Sequence, residues 1–296
     1  MKKFLIMILA LFCISAYSQT EQKYDLKWKV DKDNPIAFKT SMEPIDTNNL
    51  LKTGFDCNDY LNAFSDTADF NCDDFEDFFE ALNSLYSDYS IITTLTLNNK
   101  ETIDVKLIAT QNATKSNLPD SIPDFFKNAF KGVQLRGKIN SDGGIESFYM
   151  KKEQMNLLAL MFELPTQPVK IGDRWKIQAS FISNDHNFIC DDYGKKHNIE
   201  LVDVRIIDGD EIAFIKYDIN YYVNGVFNNP VFGKAVPTTM DVTYNGISEF
   251  NITKGKWRDY NGIMSMDVTG FMNNQSRQRF KLSEIDEIPT EVLNIN

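Results

Sequence analysis

The chain has 296 residues, a formal net charge of −11 and an aromatic content of 12%. This aromatic content predicts a folded chain with a substantial core and excludes an intrinsically disordered class. The acidic charge disfavours nucleic acid and anionic membranes, so neither is expected as a partner.

Residues 1–18 have the pattern of a secretory signal peptide. Two lysines follow the initial methionine, a short apolar run comes next, and Ala-Tyr-Ser forms a small-x-small cleavage site. The run is shorter than the about 20 apolar residues that span a bilayer, and no later segment reaches that length. Cys13 follows Phe12, where a bacterial lipoprotein signal has a small residue. We therefore expect a soluble exported protein, periplasmic or secreted, with no membrane span.

Three cysteines follow the signal peptide, so at least one thiol is unpaired within the chain. Export permits disulfides. Cys57 and Cys72 are nearest in sequence, and a bridge between them would stabilise the fold by about 3 kcal/mol. A Cys72–Cys190 bridge is the second alternative, and three buried free thiols are the third.

The sequence of the first half of the chain predicts strands, hairpins and three short helices. Strands are expected over 24–30 and 36–42, and hairpins over 90–110 and 133–150, the second turning at 141–144. The helices are expected over 75–85, 121–132 and 154–162. The first has apolar residues at helical spacing, the second begins at a Ser cap and ends at Gly132, and the third is nearly all apolar.

Beyond Val169 almost every segment alternates between apolar and polar residues. Strands are expected over 174–182, 198–207, 212–222, 239–252, 257–269 and 277–282. Asp208-Gly209-Asp210 and Lys254-Gly255 mark hairpin turns. Long alternating strands joined by tight turns are typical of antiparallel meanders with one solvent-exposed face.

These patterns predict a mainly antiparallel β protein of the α+β class, a curved meander with about three short helices packed on one face. A mixed helix and hairpin half over 19–164 precedes an all-β half over 165–296, and the two halves can also form one continuous domain. This layout resembles periplasmic lipoprotein-carrier half-barrels, as a fold-level analogy only.

The segment 164–175 reads LPTQPVKIGDRW and resembles part of a group of uncharacterised exported proteins of Bacteroidota-type bacteria. In those proteins a Pro-Val-Lys-x-Gly-Asp-x-Trp run follows a short apolar helix and opens a β meander. The resemblance implies no catalytic residue. Physically, Pro168 fixes the approach to a strand, Gly172-Asp173 makes a turn, and Trp175 anchors the strand in the core.

One acidic segment matches the ligand spacing of an EF-hand calcium loop. Its oxygen ligands would be Asp69, Asn71, Asp73, Asp77 and Glu80. The position that requires glycine for the sharp turn of such a loop is Asp74. The alternative is an N-capped amphipathic helix with an acidic solvent face. No cofactor is expected, and calcium bound to these oxygens is the alternative.

Several potential zinc or copper ligands lie close together in a polar segment between two predicted strands. They are His186, Cys190, Asp191, Asp192 and His197. Their spacing matches no standard metal site, and an ordinary long loop is the alternative. The chain has only these 2 histidines. It also lacks a nucleophile elbow, a His-Glu-x-x-His pair and a phosphate-binding loop, so the sequence favours a non-enzymatic protein over an enzyme.

Methionines gather on one face of the predicted strands near the C-terminus. Met264, Met266 and Met272 share a face, and Met240 lies on a neighbouring strand. Because methionine adapts to varied apolar shapes, this face can line a site for a hydrophobic ligand. Plain core packing is the alternative, and it is the commoner role of apolar strand faces.

Function hypotheses from three classes follow. The first is an exported non-enzymatic binding protein for an apolar or lipid-like ligand. The second is a structural or interaction protein of the cell envelope that binds protein or glycan through aromatic-rich sheet edges. The third is a carboxylate-based hydrolase, for which the 42 acidic residues offer too many pairs to name one.

Overall fold

The computed structural model describes residues 22–45, 51–53, 89–98, 102–111, 132–150, 161–177, 188–228, 235–270 and 272–293. It contains strands β1 Ile36–Pro44, β2 Leu51–Thr53, β3 Tyr89–Leu97, β4 Ile103–Gln111, β5 Gly132–Ile139, β6 Ile145–Met150, β7 Arg174–Trp175, β8 Phe188–Ile207, β9 Asp210–Asn228, β10 Ala235–Asn251, β11 Lys256–Thr269 and β12 Met272–Glu284. A short helix, α1, covers Thr290–Leu293.

All strands belong to one open, curved sheet in the order β6-β5-β4-β3-β1-β12-β11-β10-β9-β8-β7, and β2 pairs with β12 beside this path. Every pairing is antiparallel. The expected antiparallel β class is therefore confirmed. The pairing of β1 with β12 places strands from both sides of residue 164 in the same sheet.

The long strands alternate between a buried and a solvent-exposed face. In β9 the odd-numbered residues from Ala213 to Val223 are buried, whereas most even-numbered ones are not. We call the buried side of the sheet the inner face and the other side the outer face. The outer face carries ion pairs such as Lys196–Asp218 at 2.7 Å. This is the single solvent-exposed face that the alternating sequence predicts.

Most predicted hairpins are present because their turn residues supply the backbone angles that tight turns need. Asp208 and Gly209 both have positive φ, 54° and 86°, and they join β8 to β9. Gly143 has φ 75° between β5 and β6, and Gly255 has φ 63° between β10 and β11. We call the end of the sheet that carries these three turns the upper end and the opposite end the lower end.

Two hydrogen bonds from the segment before β1 demonstrate the curvature. Trp28 N–H donates to Ser141 O in the β5–β6 turn at 2.6 Å, and Lys29 N–H donates to Gly255 O in the β10–β11 turn at 2.9 Å. In a flat sheet, the five strand spacings from β5 to β11 would separate these turns by roughly 24 Å. Consecutive Cα atoms are only about 3.8 Å apart. The sheet must therefore curl until the two turns approach one another.

The segment 24–30 has the predicted burial but is not a strand of the sheet. Leu26, Trp28 and Val30 are buried, as their alternation predicts. The segment makes only an isolated bridge, between Tyr24 and Val169. Its amides bind the two turns at the upper end instead of a neighbouring strand, which is why no ladder forms.

The strand predicted over 198–207 starts earlier in the structure, since β8 begins at Phe188. The sequence predicts a polar loop before residue 198, and the structure shows a strand there. Its backbone pairs with β9 from Phe188↔Phe227 onward, with a bulge between Cys190 and Asp192. Ladder hydrogen bonds do not require apolar side chains, so the polar composition concealed this strand.

The three predicted helices are not supported by the structure. Helices 75–85 and 121–132 lie outside the described residues, except for Gly132, which begins β5. Only the last two residues of helix 154–162 are described, and they form part of a turn. The described residues contain a single helix, α1, whose Val292 packs on Ile92 and Ile108. No helix in this part of the chain is long and apolar enough to cross a membrane.

Candidate functional site

Three of the four predicted methionines lie on the inner face of the sheet. The β10–β11 register pairs Met240 with Val268, and it places Met264 and Met266 opposite Tyr244 and Val242. Met264 is buried in the main core, and Met240 and Met266 are partly buried against it. Met272 begins β12, and its side chain lies outside those that the structure describes.

These methionines form an apolar patch with valines of the same three strands. We call this patch the methionine floor. Its members are Val223 of β9, Met240 and Val242 of β10, and Met264, Met266 and Val268 of β11. The three valines are 8%, 3% and 2% exposed, so the centre of the floor is well buried. The floor lies below the turn-bearing upper end, on the same face as the main core.

A group of polar side chains borders the floor on the β8 side. The β8–β9 register places Lys195 opposite Tyr221 and His197 opposite Ile219. The Lys195 Nζ lies 5.1 Å from the centroid of the Tyr221 ring. Glu163, which is buried, acts electrostatically on both Lys195 and Tyr221. We call Glu163, Lys195, His197 and Tyr221 the polar border.

The imidazole of His197 is held by two partners. Its Nδ1 lies 3.1 Å from Ile177 O, and its Nε2 is in hydrogen-bond contact with the Tyr221 hydroxyl. Burial first, and then the positive charge of Lys195, lower the pKa of His197 to about 4. The ring is therefore neutral near pH 7. Because a carbonyl can only accept, Nδ1–H donates to Ile177 O and the Tyr221 hydroxyl donates to Nε2.

The pKa values of Tyr221 and Lys195 are also shifted by their surroundings. Burial, assisted by the negative charge of Glu163, raises the pKa of Tyr221, so its hydroxyl stays protonated and can donate. Burial lowers the pKa of Lys195, and the charge of Glu163 opposes that shift. The border thus combines a carboxyl group, a lysine amine, a neutral imidazole and a phenol beside an apolar surface.

An aromatic cluster separates the floor from the upper end. Gly246 and Gly262 face each other across β10 and β11. The Tyr244 ring fills the space above Gly262, where an added Cβ would come within 2.4 Å of the ring. Tyr217 and Tyr260 complete the cluster, with ring centroids 5.8 and 6.2 Å from that of Tyr244. Burial raises the pKa of all three phenols, so they remain protonated in the core.

Above this cluster the inner face is filled by the chain itself. Trp28 Nε1 donates to Phe162 O at 2.8 Å, and Trp257 Nε1 donates to Met161 O at 2.7 Å. The Trp28 ring lies 5.7 Å from Phe250 and 6.2 Å from Trp257, in edge-to-face arrangements. Two buried indole N–H groups are thus satisfied by one overlying segment, which closes the upper end.

The Pro-Val-Lys-x-Gly-Asp-x-Trp segment forms the turn that the sequence predicts. Gly172 has φ 90°, and Lys170 N–H donates to the Asp173 carboxylate at 3.0 Å. Gly172 N–H and Asp173 O then bond to Leu201 of β8, and Trp175 enters β7 opposite Ile199. Trp175 is partly buried against the main core. The motif therefore fixes the chain to the edge of the sheet rather than forming a pocket of catalytic groups.

The predicted calcium ligands and the first disulfide alternative lie outside the described residues. These positions are Asp69, Asn71, Asp73, Asp77 and Glu80, together with Cys57 and Cys72. Cys190 is an exposed free thiol, so the Cys72–Cys190 bridge is not formed. In the described part of the chain, no three His, Cys, Asp or Glu side chains lie close enough together to hold a metal ion.

No family model matches this chain, and neither the curated proteins nor the solved structures contain a significant match to it. The functional argument therefore depends on the geometry of the inner face. Sequence reasoning identified Met240, Met264 and Met266, but it missed the contact between His197 and Tyr221. That contact results from the register of β8 with β9. The sequence analysis predicted a polar loop in this part of the chain, and a loop has no register from which the contact could be expected.

Proposed function

We propose that this chain is an exported, non-enzymatic binding protein that holds an apolar or lipid-like ligand against the methionine floor. The observation that supports this proposal best is the floor itself, with six apolar side chains on three adjacent strands, three of them methionines. Thioether side chains adapt to varied apolar shapes, which suits a surface that binds flexible hydrocarbon.

The polar border suits a ligand with one polar end. A hydrocarbon portion would lie over Met240 and Met266, which are only partly buried, and the polar end would point toward Lys195 and Tyr221 on the β8 side. Binding sites for small molecules commonly combine an apolar lining with a few polar groups that fix orientation. The upper end is filled by the chain's own aromatic side chains, so the ligand would enter from the lower end.

The finer elements of the fold belong to this proposal. The helices expected over 75–85, 121–132 and 154–162, apart from Gly132 in β5 and the turn at Met161 and Phe162, would place their apolar faces on the inner side of the sheet and cover the ligand. This arrangement follows the fold-level analogy with lipoprotein-carrier half-barrels. A Cys57–Cys72 bridge would hold the first of these segments, as export to an oxidising compartment permits.

Extraction and native mass spectrometry of the purified protein test the proposal. We expect a bound apolar molecule, and we expect Met266→Gln to reduce the bound fraction several-fold because it places an unpaired amide on the floor. Ile247→Gln is the matched control, because Ile247 is 53% exposed on the outer face. The proposal fails if the wild-type protein neither retains such a molecule nor binds a fluorescent fatty-acid analogue.

An interaction protein of the envelope is the second candidate, and one observation favours it. Tyr193 and Ile189, near the lower end of β8, are 74% and 58% exposed. The hydrolase hypothesis has less support. Glu163 is the only buried carboxylate among the described residues, whereas glycoside hydrolysis by the usual mechanism needs two.

A further inference from the structure

The outer face of β12 and β1 carries a row of exposed basic side chains. In β12, Phe280 and Leu282 are only 2% and 3% exposed, so they lie on the inner face. Because side chains alternate along a strand, Arg279 and Lys281 project from the outer face, and both are exposed. Lys39 of the neighbouring strand β1 is exposed as well. We call Arg279, Lys281 and Lys39 the basic stripe.

The three cations of the basic stripe are close enough to act together. Arg279 and Lys281 are two residues apart on one strand, which separates their Cα atoms by roughly 6.8 Å. The β1–β12 register places Lys39 opposite Ser283, so Lys39 is a diagonal neighbour of Lys281, at roughly 7–8 Å. These separations are shorter than the Debye length of about 10 Å at 0.1 M ionic strength, so the positive potentials of the three side chains add.

The basic stripe differs from other parts of the outer face in its lack of ion pairs. On β8, Lys196 and Arg205 each form an ion pair with a carboxylate at 2.7 Å. Among the described residues, no member of the stripe forms one, although Glu43 lies opposite Arg279 in the register. The chain has 42 acidic and 31 basic residues, so carboxylates are not scarce. This contrast indicates a surface that suits an anionic partner.

The side chains opposite the stripe are mostly small and polar. Asn261 of β11 and Ser41 of β1 flank Lys281 on its two sides, and Ser283 lies opposite Lys39. Amide and hydroxyl groups both donate and accept hydrogen bonds, as sugar hydroxyls do. Single-stranded nucleic acid is bound instead on aromatic side chains that stack with its bases. The surroundings of the stripe therefore suit a sugar chain better than a nucleic acid.

The net charge of the protein limits the shape of an anionic partner. The formal net charge is −11, so an extended anionic surface such as a membrane is repelled by the molecule as a whole. A single polymer chain lying along β12 meets only the basic stripe and its polar neighbours. Such a chain gains the local attraction and avoids most of the general repulsion, because salt screens charges that are more than a Debye length away.

We propose that the basic stripe binds an acidic polysaccharide. Its anionic groups would lie over Arg279, Lys281 and Lys39, and its hydroxyl groups would meet Ser41 and Asn261. The stripe lies on the opposite face of the sheet from the methionine floor. The two proposals are therefore independent, and either can fail without the other.

Fluorescence anisotropy with labelled polygalacturonate, a linear acidic polysaccharide, tests this proposal. We expect binding at about 0.1 M ionic strength, where the Debye length of about 10 Å spans the stripe but not the whole molecule. At about 1 M, where it is about 3 Å, the affinity should fall at least about tenfold. Fully methyl-esterified polygalacturonate is the matched control ligand, because it keeps the sugar chain without the charges. No binding of the acid form at about 0.1 M, or equal binding of the ester, overturns the proposal.

Charge reversal shows whether the stripe is the site. Arg279→Glu and Lys281→Glu should each weaken binding about tenfold, because each replaces an attraction by a repulsion. Lys216→Glu is the matched control. It makes the same change at an exposed outer-face position of β9, where the cross-strand neighbours are Glu200 and Ile247. Its effect should stay within about twofold, since it lies outside the stripe. Equal losses in Lys216→Glu and Lys281→Glu overturn the proposal.

Two further measurements keep these results interpretable. Because the three positions are exposed, circular dichroism and the midpoint of urea unfolding should not change in any variant. Vesicles of phosphatidylglycerol and single-stranded DNA should bind at least about tenfold more weakly than polygalacturonate, for the reasons of shape and stacking given above. Binding of either that is as tight as that of polygalacturonate, and that Lys281→Glu removes, overturns the choice of a polysaccharide.

Discussion

The upper and lower ends of the inner face lie on the same strands but are filled by different contacts. At the upper end, Trp28 and Trp257 donate to backbone carbonyls of an overlying segment and meet other rings edge to face. At the lower end, Met240 and Met266 are only partly buried against the core. Directional contacts fix one arrangement, whereas flexible thioethers permit several. Under the proposed function, this difference assigns stability mainly to the upper end and ligand binding to the lower end.

The largest expected effect comes from removing an anchor of the upper end. Trp28→Ala should lower the free energy of unfolding by about 3–5 kcal/mol, because a buried indole and its hydrogen bond to Phe162 O are lost. Urea denaturation measures this change. Ligand retained per folded molecule should not change. A loss of ligand equal to that of Met266→Gln would show that the two ends do not have separate roles.

A substitution at Gly262 tests how tightly the tyrosine cluster packs at the boundary between the two ends of the inner face. Gly262→Ala should cost about 1–3 kcal/mol, because its Cβ would meet the Tyr244 ring at 2.4 Å and displace it. Gly209→Ala is a useful comparison, since Gly209 has φ 86° but no atom within 4 Å of the added Cβ. Its cost comes from backbone strain alone, about 1 kcal/mol. Equal costs for both variants would contradict a tightly packed tyrosine cluster.

The smallest effect concerns the polar border and depends on pH. The folded protein holds the pKa of His197 near 4, below its ordinary value of 6.5. The unfolded chain therefore binds more protons between these values, and stability falls as pH decreases through that window. Because the ring is partly exposed, the loss should be on the order of 1–2 kcal/mol. His197→Gln should reduce the pH dependence of urea unfolding between pH 6.5 and 4. An unchanged slope would contradict the neutral, two-partner imidazole.

The sequence predicted the parts of this fold that depend on local chemistry. Asp208-Gly209 specifies a tight turn by itself, and the alternation of β9 identifies its buried face before any partner is known. Long-range pairing could not be predicted in this way. The polar lower half of β8 is a strand only because β9 extends beside it, and the segment 24–30 binds two turns that are distant in sequence.

The same distinction applies to the candidate site. The three methionines were found because they recur at strand spacing within or between neighbouring segments. His197 and Tyr221 are 24 residues apart, and they meet only through the register of two strands. Glu163 belongs to a segment outside the sheet. That segment also includes Met161 and Phe162, and it crosses the inner face, which brings Glu163 to the polar border.

The most direct test is a crystal structure of the protein purified from the cells that naturally produce it, without lipid-removing detergent. The proposal predicts continuous non-protein electron density along Met240 and Met266, ending near Lys195 and Tyr221. A methionine floor covered entirely by side chains of the same protein, with no such density and no cavity beside Met266, would contradict it.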